Sequence, residues 1–108
     1  MRNAETWKEA HRILLEVEVD GLPMGSDIAG AVGDAAPDQR LRVAVVAPEP
    51  VEFVDLIRSG QSVRIPVGGH TEWSLERLIP ALRPGEYHYV RVVTADEGAA
   101  WSSPIFAR

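Results

Sequence analysis

Leu15, Val17 and Val19 alternate with Glu16, Glu18 and Asp20, the two-residue period of a strand with one dry and one wet face. Asp20-Gly21 is a strong turn dipeptide, and it predicts that residues 12–19 fold back on Leu22 to Ile28 as a hairpin. Residues 29–39, AGAVGDAAPDQ, read as a loop, and Arg40 to Ala47 as a buried strand stopped by Pro48 and Pro50. A second hairpin joins Val51 to Arg58 with Gln61 to Val67 around Ser59-Gly60. Its first arm carries Val54 and Leu56 opposite Val51, Phe53 and Ile57, so it is apolar on both faces and fits a central position. After Gly68-Gly69, Thr71 to Glu76 alternates through Trp73 and Leu75. Leu75, Leu78, Ile79 and Leu82 also sit at helical spacing, a rival pattern that Pro80 weakens. Tyr87 to Val93 and Ala100 to Phe106 complete a set of about seven strands, which predicts an all-β sandwich.

Within the last strong strand, Tyr87, Tyr89, Arg91 and Val93 fall on one face and His88, Val90, Val92 and Thr94 on the other. Arg91 is thereby expected to stack on a ring with its charge wet or paired. Upstream of residue 12 the period changes. Ala4, Trp7 and His11, with Asn3 as cap, predict a short helix over residues 3–11. Residues 1–11 are therefore read as a separate N-terminal segment, the end of a preceding domain, and residues 12–108 as one sandwich.

The chain has 108 residues, of which 45% are hydrophobic and 25% charged, enough for one packed core. The net charge is −5, and no basic stripe is present to meet nucleic-acid phosphate or an anionic membrane surface. No apolar run is long enough to insert in a membrane. Cysteine is absent, which leaves the compartment open.

Candidate chemistry is sparse. Glu16, Glu18 and Asp20 could suggest a cation site, but a column of carboxylates along one strand reads as a solvated face. Asp27, Asp34 and Asp38 lack the ligand spacing of a calcium loop and fit turn chemistry. His11, His70 and His88 are far apart, and the pairs His70/Glu72 and Glu86/His88 are the kind that strands produce freely. Ser102-Ser103 lacks the turn that exposes a nucleophile, and is read as satisfying backbone groups near an edge. Trp73, Trp101, Tyr87 and Tyr89 could line a carbohydrate or peptide groove, although aromatic side chains of sandwiches more commonly fill the core. No catalytic, cofactor-binding or metal-ligating residue is assigned.

Two resemblances extend this reading. Leu82-Arg83-Pro84-Gly85-Glu86-Tyr87 resembles the tyrosine corner of fibronectin type III and immunoglobulin-like sandwiches, in which a Tyr hydroxyl bonds back to upstream backbone. VEVDGLPMGSDI (17–28), VEFVDLIRSGQSV (51–63), GEYHYVRVVTADEG (85–98) and AWSSPIF (100–106), taken in order, resemble a second family. This is the carboxy-terminal sandwich that follows the catalytic barrel in a branch of the PHP (polymerase and histidinol phosphatase) metal-dependent hydrolases. The matching pieces are the turn Gly21 to Gly25, the hairpin Val54 to Gly60, and the ending formed by Tyr89 to Val93 with Ala100 to Ile105. The resemblance implies an accessory domain that is not an enzyme by itself. Its partner would be a catalytic domain, in the same polypeptide or another protein, and any divalent metal would belong to that domain. Structural roles are expected for Pro84, Gly85 and Tyr87 at the corner, for Trp101, and for the turn residues Gly21, Gly25 and Gly60. An independent protein- or glycan-binding module of the fibronectin type is the alternative.

Overall fold

The computed structural model describes residues 13–33, 36–96 and 98–108. Its strands are β1 (Leu14–Val19), β2 (Leu22–Pro23), β3 (Asp27–Ile28), β4 (Gln39–Val46), β5 (Val51–Arg58), β6 (Gln61–Pro66), β7 (Glu72–Ile79), β8 (Tyr87–Thr94), β9 (Ala99–Trp101) and β10 (Ile105–Ala107). They form two sheets. One has the order β2-β1-β4-β7, the other β3-β10-β8-β5-β6 with β9 also paired to β8. The predicted helix over residues 3–11 lies outside the described residues.

The alternating pattern builds the core directly. Val17 and Val19 from β1 and Leu41, Val43 and Val45 from β4 face Val54 and Leu56 from β5 and Val90 and Val92 from β8, all buried. Strand β7 runs through Ile79 and pairs with β4 along its whole length, so the helical spacing of Leu75, Leu78 and Ile79 is overridden by tertiary pairing. The ambiguity of β5 is resolved by a bulge between Val51 and Phe53, which lets Val51 point inward in phase with Val54 and Leu56. Two turns match their dipeptides: Asp20-Gly21 and Ser59-Gly60 both have positive φ at each residue, as a tight hairpin requires.

Two expectations are corrected. The hairpin over Leu22 to Ile28 is only two residues deep. Glu18 and Val19 pair with Pro23 and Leu22, after which the chain crosses to the other sheet, where β3 lies parallel to β10. Pro23 has no amide hydrogen for a longer ladder. Gly25, at φ 89, turns the chain and donates to the Pro104 carbonyl at 3.1 Å. The second correction concerns the corner. Arg83 to Glu86 is a hydrogen-bonded turn with Pro84 and Gly85 at its centre, and Gly85 takes the φ of 89 that position demands. Tyr87, however, begins β8 on the outer face and stacks on Tyr89 at 6.1 Å between ring centroids. Among the described residues its hydroxyl makes no hydrogen bond to upstream backbone. The buried neighbour is His88, 3% exposed.

Arg58 performs the bracing that the corner needs. Its guanidinium donates to the carbonyls of Pro80 and Ala81 and to Glu86 Oε1, the last at 2.7 Å. The same carboxylate oxygen accepts from the Arg83 amide at 2.7 Å. These charge-assisted bonds hold the Glu86 carboxyl below its ordinary pKa, chiefly through Arg58.

Candidate functional site: the outer face of the six-stranded sheet

The two outer faces differ in chemistry because the two-residue period sends different residue types outward. On the four-stranded sheet, Glu18 and Glu76 flank Arg42 at 3.5 and 3.7 Å, and Arg40 meets Glu76 at 3.5 Å. Arg40, Arg42 and Glu76 are exposed and Glu18 is half-buried, a solvated charge ladder rather than a cation site. Asp20 accepts from the Arg40 amide at 2.9 Å, and Asp27 pairs with Arg108. Both are accounted for without a metal. Asp34 is outside the described residues. Among the described residues no three His, Cys, Asp or Glu side chains converge as a metal site would require.

The six-stranded sheet turns rings outward. Register places Arg64, Asp55, Arg91 and Trp101 in one row across β6, β5, β8 and β9. The adjacent row holds Phe53 beside Val93, and on the other side Ile57 lies beside Tyr89. Tyr87 and Phe106 pair further along. Trp101 is 62% exposed and Phe106 44%. Trp101 is thus a correction to the reading of aromatic side chains as core: it is the register partner of the outward Arg91. Trp73, by contrast, packs against the core.

At the centre of this face is an Arg-Asp-Arg cluster. Asp55 is 5% exposed although it points away from the core. Arg64 holds it with two hydrogen bonds, at 2.9 and 3.2 Å, while its guanidinium carbon lies 3.7 Å from the Phe53 ring centroid. The fork-on-fork geometry raises the pKa of Arg64, keeping its charge fixed. Arg91 is held more loosely. Its Nη1 is 3.9 Å from Asp55, its Nε is buried with no acceptor, and its guanidinium lies 6.0 Å from the Trp101 ring centroid. The expectation of Arg91 among rings is met.

The remaining candidates occupy structural positions. Ser102 is buried; its hydroxyl accepts from the Val90 amide at 2.9 Å and its own amide donates to the Val90 carbonyl, as the backbone-satisfying reading predicts. His88 points into the core while Glu86 turns to Arg58, so the two form no shared site. Burial, followed by the nearby Arg58 charge, pushes the His88 pKa down to about 4. The Arg58 clamp and the Arg64–Asp55–Arg91 cluster were not legible in the sequence. The only available signal was opposite charge at positions that a known register would bring face to face.

Fold and face together define an all-β two-sheet sandwich: the outer face of the four-stranded sheet carries the charge ladder together with exposed Leu14, Val46 and Leu78, and that of the six-stranded sheet carries the exposed rings. No family model matches the chain, and no solved structure matches it at a significant level. It is similar to an uncharacterized protein of Chlamydia pneumoniae and to another of Chlamydia muridarum (strain MoPn / Nigg), each 25% identical over 108 aligned residues. In both, 88% of this chain is covered, and the match spans 17% of the relative's length.

Proposed function

We propose that this chain is a non-catalytic accessory sandwich domain that packs, through the outer face of its six-stranded sheet, on the catalytic domain of a PHP-like metal-dependent hydrolase. The observation that carries the reading is the contrast between the two outer faces. The four-stranded sheet presents the alternating charges of Glu18, Arg42 and Glu76 with aliphatic Leu14, Val46 and Leu78 exposed beside them, whereas exposed Trp101 and Phe106 around half-buried Tyr87 and Tyr89 give the six-stranded sheet a ring-bearing surface suited to burial against protein. The short share of the Chlamydia relatives that this chain matches supports a place within a longer polypeptide. Attachment to a hydrolase rests on the Gly21 to Gly25 turn and the Ala100 to Ile105 ending.

The sandwich is of the immunoglobulin or fibronectin type III kind. The chain passes between layers from β4 to β5, from β6 to β7 and from β7 to β8, leaving β1, β4 and β7 facing β10, β8, β5 and β6. The test is the size of the native polypeptide in its source cells, probed with an antibody to this domain. A band well above 11.8 kDa is expected. A band at that mass overturns the placement within a longer polypeptide and favours an independent binding module.

A further inference from the structure

We infer that the Arg91–Trp101 end of the aromatic face is a docking site for a protein segment presenting a carboxylate flanked by apolar side chains. The reading above enters only in taking the occupant to be protein. Of the three charges in the central row, Asp55 and Arg64 satisfy each other in a two-bond pair. Arg91 is the surplus cation: beyond hydrogen-bond distance of Asp55, with Nε lacking an acceptor and the side chain 39% exposed. The row therefore carries one uncompensated positive charge in a chain whose net charge is −5.

That charge is set in apolar surroundings. Trp101 lies on one side in the same row, Tyr89 and Val93 precede and follow in the neighbouring rows, and Phe106 stands next to Tyr87. Apolar rings next to the guanidinium lower the local dielectric, which strengthens one well-placed carboxylate contact. The Asp55 carboxylate, 3.9 Å away on the adjacent strand, leaves the guanidinium with donors to spare for a second acceptor. A polyanion such as nucleic acid does not fit. It needs many cations in a track, and would meet the overall negative field of the chain. A single acidic side chain with apolar neighbours matches both the charge and the rings.

The experiment is selection of a random peptide library displayed on phage against the immobilised chain, followed by affinity measurement on synthetic peptides. Selected sequences are expected to share an Asp or Glu next to aromatic or branched apolar residues. Changing that carboxylate to its amide in the peptide should weaken binding by about tenfold or more, as should Arg91→Gln in the protein. Arg91→Lys should retain part of the affinity, and raising the ionic strength from about 0.05 to about 0.5 M should reduce it. The amide peptide and the salt series use the unaltered protein, so they remain decisive if a variant fails to fold. Failure to select any peptide, a consensus without an acidic residue, or equal binding of acid and amide peptides overturns the inference. This outcome is separate from the native-size test, because it reads the chemistry of the face whether or not the domain belongs to a longer chain.

Discussion

The corner that local sequence assigns to the Tyr87 hydroxyl is braced by Arg58. Arg58 ends the apolar strand β5 and ties three groups of the corner together. Arg58→Ala should lower stability by about 2 to 3 kcal/mol, since carbonyls and a carboxylate lose a charged donor. Tyr87→Phe should change it by less than about 0.5 kcal/mol, because the hydroxyl is on the outer face. Urea unfolding of the two variants checks both, and the reverse order would restore the tyrosine corner. His88 supplies a pH dependence. Its folded pKa of about 4 lies below the ordinary 6.5, so the folded state prefers the neutral ring. Above pH 6.5 neither state is protonated and no penalty exists. As pH falls from about 6.5 to about 4 the unfolded chain takes up the proton first, and stability drops by roughly 3 kcal/mol in total. Unfolding free energy measured across that window should show the slope, and His88→Leu should flatten it.

At the scale of elements, the strands with clear alternation were legible and the breaks within them were not. Gln39–Val46 and Tyr87–Thr94 were predicted within a residue or two, and for Tyr87–Thr94 so was the face on which each side chain lies; Gln39–Val46, expected to be buried, instead alternates and leaves Arg40, Arg42 and Val46 exposed. Leu22 to Ile28 and Ala100 to Phe106 each split in two, because a strand can change partners where local residues satisfy the backbone in another way. Ser102 shows how. Between β9 and β10 its hydroxyl supplies the Val90 amide with the acceptor that a continuous ladder would have given. Ser102→Ala leaves that buried donor unpaired and should cost about 1 to 3 kcal/mol, with faster amide exchange at Val90 than at the core amide of Val92. Unchanged exchange would show that the hydroxyl is dispensable.

For the molecule as a whole, the relevant property is asymmetry. Both sheets share one core, but only one of them presents rings to the outside. In the folded chain, mild oxidation mapped by mass spectrometry should modify Trp101 well before Trp73, which packs against the core. Equal rates would remove the aromatic face from consideration. Protection of Trp101 in a longer native polypeptide, against reactivity in this chain alone, would locate the covering surface.

The sequence by itself determined the strand periods, the two tight hairpin turns, the all-β class, the dry face of Leu15, Val17 and Val19, and the face that Val90 and Val92 share. Each depends on a residue and its near neighbours: alternation follows from backbone geometry, and the left-handed turns from Asp-Gly and Ser-Gly. Only the tertiary structure decided which sheet each strand joined, which face its polar side received, and which charges met. Asp55, Arg64 and Arg91 are far apart along the chain and become one cluster only through the pairing of β5 with both β6 and β8. Register is a property of strand pairs, set by the packing of the whole core. The pairing of β8 with β9 put Trp101 beside Arg91 on the outside, where local composition alone would have buried it.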